Sequence, residues 1–164
     1  MSETYVECLV QAKKSMFLKF LQVLLIIVTV LFLFFGIYFF WPAMVLAIGT
    51  GVGAYFAYMG ADVEYEYLYL DRELSVDKVM AKSKRKRMAV FMVERMEVFA
   101  PIHSYHLDNY KNRNVKVIDY SGGEGEPDLR YAMYYEGGTK VILTPSEELV
   151  KVLKSVAPRK VFSE

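Results

Sequence analysis

Cysteine is nearly absent from this chain of 164 residues. The single Cys8 excludes an intramolecular disulfide and cannot build a zinc site alone. It is consistent with a reducing compartment. Histidine is almost as scarce, with only His103 and His106. Excess charge of one sign is missing too: the net charge is +1. Lys13, Lys14 and Lys19 are the only basic residues before position 61, and Glu3 and Glu7 the only acidic ones, which leaves 17 of each sign in 61–164. A dedicated nucleic-acid domain is usually distinctly basic, so nucleic acid is not an expected partner. Nucleophile-elbow, kinase and hydrolase signatures are absent. The sequence therefore reads as a non-enzyme with no cofactor.

The largest absence is of charge itself. From Phe20 to Ala61, 42 residues contain no Asp, Glu, Lys, Arg or His. A bilayer-spanning helix needs about 20 apolar residues, so this run accommodates two. Trp41 and Pro42 sit at its middle. Proline lacks an amide hydrogen and disfavours helix in the residue before it, and tryptophan suits the membrane interface. The spacing predicts helices over about 17–40 and 43–59, a tight transmembrane hairpin spanning 17–60. A soluble helix keeps a polar face, and "LQVLLIIVTVLFLFFGIYFF" has none. A cleavable signal peptide has a shorter apolar region ending in small residues. Lys13, Lys14 and Lys19 precede the first helix, and basic flanks stay in the cytoplasm. The expectation is a multi-pass cell-membrane protein with both termini cytoplasmic.

Glycines in "AIGTGVGAYFAYMG" invite comparison with a phosphate loop, but such a loop needs a following Lys, and none is present. Small residues also let helices approach closely in lipid. Gly49, Gly53 and Ala57 fall on one face, and Ala43, Ala47 and Gly51 on an adjacent one. These faces are expected to receive large side chains of the first helix. They are also candidates for self-association, so a homo-oligomer is one expected state.

Residues 3–14, "ETYVECLVQAKK", place Tyr5, Val6, Leu9 and Val10 near one helical face, so a short amphipathic helix is expected within 1–16. Beyond Gly60 the texture changes. Tyr65, Tyr67 and Tyr69 alternate in "VEYEYLYLD", which reads as a strand. "ELSVDKVM" follows after a short Asp71–Arg72 turn. "MAVFMVERMEVFAP" reads as a strand pair or one bulged strand, "IHSYHLDNYKNRN" as a loop or short helix, and "VKVIDYS" as a strand. "SGGEGEPD" is a loop, and "LRYAMYYEGGTKVILT" is a hairpin turning at Gly137 and Gly138. In "TPSEELVKVLKSVAP", Thr144 and Glu147 make a capping box around Pro145, and a helix over 145–157 presents Leu149, Val152, Leu153 and Val156 as one stripe. The expected fold class is α+β: a transmembrane hairpin, then an antiparallel sheet domain over 61–164 closed by a C-terminal helix.

Several residues are candidates for chemistry. "KSKRKRM" supplies Lys82, Lys84, Arg85, Lys86 and Arg87 with no acidic residue between them. Anionic lipids attract such clusters by about 1 kcal/mol per residue near the surface. The same lysines also fit a solvated loop that follows the cytoplasmic charge bias. His103 and His106, with Asp108 nearby, stand three apart, as two ligands on one helical face would. A metal site needs a third or fourth ligand, and none is identifiable, so ordinary loop histidines are expected. Glu64 and Glu66 share a face of one strand. Paired carboxylates can share acid–base work, yet on an alternating strand they read as the solvent face. The 13 tyrosines are expected in the core or at headgroups rather than stacked on bases.

Three stretches, "KSKRKRMAVFMVERMEVFAP", "GTKVILTPSEELVKVLKS" and their placement after a helical hairpin, resemble a bacterial pleckstrin-homology-like domain. With "ETYVECLVQAKK" and "APRKVF", the chain resembles small two-helix bacterial membrane proteins of unassigned function. The resemblance implies a bent, partly closed antiparallel barrel; the hairpin, the sheet-plus-helix order and the lack of an active-site constellation point to an interaction or scaffold role with a protein partner. Phosphoinositide-binding members carry basic residues in the first hairpin loop, where this chain has only "DR", so inositol-lipid specificity does not carry over. Two other functions fit the same features. One is anionic-lipid sensing through residues 82–87. The other is service as an accessory subunit of a membrane transporter or enzyme complex.

Overall fold

The computed structural model describes residues 5–13, 15–122 and 128–164. They form two compact units: the apolar helix pair together with residues 80–84, and a β-rich unit that includes both the N-terminal segment and most of the C-terminal part.

In the helical unit, α1 spans Met16–Tyr38 and α2 spans Ala43–Ala61. Both are long and apolar enough to cross a membrane. At a rise of about 1.5 Å per residue they extend about 35 and 29 Å, close to the hydrocarbon thickness. Ser15 caps α1, its hydroxyl accepting from the Leu18 amide at 3.3 Å. At the hairpin turn, the Phe39 and Phe40 amides both donate to the Phe35 carbonyl. Gly36 makes this turn possible: a Cβ there would stand 2.6 Å from Met44 Cγ. Thr29 Oγ1 donates to Thr50 Oγ1 at 2.9 Å, joining the two helices by their hydroxyls. A Cβ on Gly53 would meet Leu25, and one on Gly51 would meet Thr29, each at 3.6 Å. The residue of α1 at Gly53 is thus a large leucine, and the one at Gly51 a threonine. Ala57 is buried, whereas Gly49 faces open space, so the face drawn through Gly49, Gly53 and Ala57 is not packed along its whole length.

The β-rich unit overturns one expectation at once. Residues Val6–Gln11 are a strand, β1, not a helix. β1 pairs antiparallel with β2 (Val63–Leu70), Gln11 opposite Glu64 and Cys8 opposite Tyr67. The apolar residues of this segment satisfy either period locally. A waiting strand edge decides the matter, with Val6, Cys8 and Val10 turned to the core. The helix pair is therefore inserted between two neighbouring strands of one sheet. The domain is not confined to 61–164.

β3 (Glu73–Met80) and β4 (Lys84–Met92) complete the first sheet in the order β1-β2-β3-β4. Two tight turns join these strands. Asp71 and Arg72 have φ of 50° and 67°, and Ala81 and Lys82 have 49° and 53°. Positive φ at both central residues is the hairpin geometry that matches strand twist.

A 3-10 turn at Val93–Arg95 leads to the second sheet. This sheet contains β5 (Met96–Pro101), β6 (Lys116–Asp119), β7 (Tyr131–Tyr135) and β8 (Thr139–Leu143), in the order β5-β7-β8-β6. β6 runs parallel to β8, so this sheet is mixed rather than purely antiparallel. The two sheets do not close into a barrel. Between β5 and β6 the chain makes a 3-10 turn and one short helix, α3 (Asp108–Lys111). Gly137 and Gly138, φ 88° and 77°, make the β7–β8 turn.

α4 spans Glu147–Val156. Its cap is Ser146, whose hydroxyl accepts from the Leu149 amide at 3.2 Å; Thr144, expected in that role, instead accepts from the Gly122 amide at 3.0 Å. Pro145 thus precedes the helix. Leu149 and Leu153 join Tyr67, Val76, Phe91, Phe99, Met133 and Val141 in one core between helix and sheets. Val156, at 38% exposure, leaves the stripe. The Tyr67 hydroxyl donates to the Tyr120 carbonyl at 2.5 Å and accepts from the Thr144 amide at 3.2 Å, so this buried phenol is satisfied on both sides.

Candidate functional site

On β2, Tyr65, Tyr67 and Tyr69 enter the core, which turns Glu64 and Glu66 to the opposite face. That face was expected to be solvated, but the structure seals it. Glu66 is 0% exposed and Glu64 is 8% exposed. On β3, Asp77 is 8% exposed. Three carboxylates are thus withdrawn from water on one sheet.

Each is answered by a neighbour. Gln11 Nε2 donates to Glu64 Oε1 at 3.5 Å. Arg85 of β4 stands 3.2 Å from Glu66 Oε2. Arg87 Nε donates to Asp77 Oδ1 at 3.4 Å. Among the described residues no donor reaches a Glu66 oxygen in hydrogen-bonding geometry, so Arg85 answers it by charge alone. Burial, then the neighbouring Glu7 carboxyl, push Glu66 above the usual carboxylate range, and Arg85 opposes them. Glu7 moves the other way, held down by the Tyr5 hydroxyl at 2.8 Å and by Glu66.

This arrangement divides the basic run. Arg85 and Arg87 neutralise the sheet's own carboxylates. Among the described residues no carboxylate lies within 4.0 Å of Lys82, Lys84 or Lys86. The Ala81 amide donates to the Asp62 carbonyl at 2.7 Å, which returns the β3–β4 turn to the end of α2. Lys84 Nζ lies 5.9 Å from the centre of the Tyr55 ring, a cation–π approach. Two arginines of the run therefore pair with carboxylates of the sheet while their side chains stay more than half exposed.

The histidines diverge. His103 Nε2 stands 3.2 Å from Asp128 Oδ2, while His106 stacks on Phe162 with centroids 3.7 Å apart. Asp108 accepts from Lys111 at 2.6 Å. Among the described residues no cluster of three or more His, Cys, Asp or Glu side chains could hold a metal. Asp128 also receives the Arg130 guanidinium through two hydrogen bonds, which holds its carboxyl well below the usual range.

Sequence reasoning missed Asp77 as a buried carboxylate and the exposed Glu7 as a neighbour of the buried Glu66. A signal was present in "VEYEY" and "KRKR", strands of opposite charge in one sheet. Without the strand order, nothing said that they would meet.

A sequence family described as Bacterial PH-like domain (DUF6106) matches residues 2–163. No curated protein and no solved structure matches the chain. The match takes in β1, the inserted helix pair, both sheets and α4 together. With its two four-stranded sheets and C-terminal helix, the chain belongs to this bacterial PH-like family.

Proposed function

We propose that this chain is a membrane-anchored interaction module, cytoplasm-facing and without chemistry of its own, that positions a protein partner. The observation that carries this reading is the insertion of α1 and α2 between β1 and β2. Were the helix pair to cross a bilayer, the pairing of β1 with β2 would favour both of its ends on one side. That fits two crossings and both termini on the side that the lysines before α1 favour. β4 ends the first sheet, and Met88, Val90 and Met92 are 40–43% exposed along it. An edge strand of this kind is a ready surface for another protein. Crosslinking in native membranes is expected to capture one specific protein, and Val90→Asp to abolish that capture without changing the melting temperature. Capture that survives Val90→Asp, or turnover of a small molecule by the purified chain, would refute the proposal. A role as accessory subunit of a transporter or enzyme complex would appear as such a complex in the crosslinked product.

Contact between the β3–β4 turn and anionic lipid is a second reading, favoured by the Ala81–Asp62 hydrogen bond. It assigns the headgroups to Lys82, Lys84 and Lys86, not to the arginines. Protection of these lysines from amine-reactive reagents should rise with the anionic lipid fraction in nanodiscs and fall with salt. Protection indifferent to lipid charge would leave the lysines as plain solvated residues.

A further inference from the structure

A cleft of about 360 Å³ opens in the β-rich unit beside the C-terminal end of α4. This is within the size range of small-molecule sites. Its walls differ in character. Val93, Val156 and Pro158 form an apolar side. Arg72, Arg159 and Lys160 bring three cations, and Glu94 one carboxylate. The cleft thus holds a surplus of two positive charges, in a chain whose total is +1.

Local hydrogen bonds build the walls. Arg72 comes from the β2–β3 turn, and its carbonyl accepts from the Val93 amide at 2.9 Å. Its guanidinium meets Glu94 Oε1 at 3.2 Å. Lys160 Nζ donates to the Glu94 carbonyl oxygen at 2.7 Å, fastening the chain after α4 to the 3-10 turn. These contacts occupy Glu94 and fix Lys160, but they leave Arg159 unused. Among the described residues no carboxylate lies within 4.0 Å of the Arg159 guanidinium. The helix end attracts cations in general, yet its partial charge does not take up a guanidinium's planar set of donors.

We propose that this cleft binds a phosphate monoester carried on a short apolar body. A dianionic head matches the surplus charge, and three oxygens match the forked donors of Arg159 and the exposed Arg72. The apolar body covers Val156, which is 38% exposed although its neighbour Val93 is buried. This proposal is independent of the membrane reading, because it uses only residues of the β-rich unit.

Methyl NMR of the full chain in a non-ionic detergent tests it, with Val93 and Val156 as reporters and phenyl phosphate, benzoate and inorganic phosphate as probes. Phenyl phosphate is expected to shift both valines saturably and to bind more tightly than either of the others. Arg159→Ala should weaken it by about tenfold, the loss of a charge-assisted contact. Val156→Asp should weaken it as well, and both residues are exposed enough for the variants to fold, which melting curves would check. No saturable shift, or full affinity in Arg159→Ala, would overturn the site. Equal binding of inorganic phosphate would overturn the apolar body, and equal binding of benzoate the dianionic head.

Discussion

At the scale of single residues, Glu66 is the least expected feature. A carboxylate with no hydrogen-bond donor among the described residues, sealed on a sheet, is costly to ionise. Its raised pKa means that the folded state binds the proton more tightly than the unfolded chain does. The penalty is therefore full only above that raised value. It fades as pH falls through the raised value towards the ordinary 4.5. Arg85 is 62% exposed at its side chain and loses little by standing alone. Glu66→Gln is expected to melt higher than the parent at pH 7, with the gap narrowing as the pH approaches that of the free acid. A lower melting point at pH 7 would show that the Arg85 pair outweighs the burial. The alternation of β2 was legible in the sequence. The burial of its polar face was not, because burial depends on which side chains of β1, β3 and β4 lie across it.

At the scale of elements, the hairpin helices and α4 were legible for a common reason. Long charge-free runs and a strong stripe are local signals. β1 was not legible, since Val6, Leu9 and Val10 make a helical face, Val6, Cys8 and Val10 a strand face, and only the edge of β2 chooses between them. The parallel pairing of β6 with β8 was hidden similarly, because no turn chemistry marks it. One glycine shows how closely β1 is held. A Cβ at Gly122 would meet Val10 Cγ1 at 2.5 Å and the Gln11 carbonyl oxygen at 3.0 Å. A backbone oxygen inside a strand has nowhere to move. Gly122→Ala is expected to cost about 1–3 kcal/mol, as overpacking does, and to speed hydrogen exchange of the β1 amides. Unchanged exchange there would mean that β1 is held by its ladder with β2 alone.

At the scale of the whole molecule, the apolar helix pair is not appended to the β-rich unit but interrupts its chain. The chain lays down one strand, leaves through two apolar helices and returns beside that strand. The apolar runs alone suggested an N-terminal anchor followed by an independent domain. The pairing of β1 with β2 removes that independence: a fragment starting at 61 lacks an edge strand of its first sheet. Cysteine crosslinking in native membranes tests this directly, in a Cys8→Ser background. Gln11 and Glu64 stand opposite each other, while Tyr65 points to the other face. Gln11→Cys with Glu64→Cys is expected to form a disulfide on mild oxidation, and Gln11→Cys with Tyr65→Cys is not. Failure of the first pair, or equal crosslinking of both, would contradict a helix pair inserted between neighbouring strands.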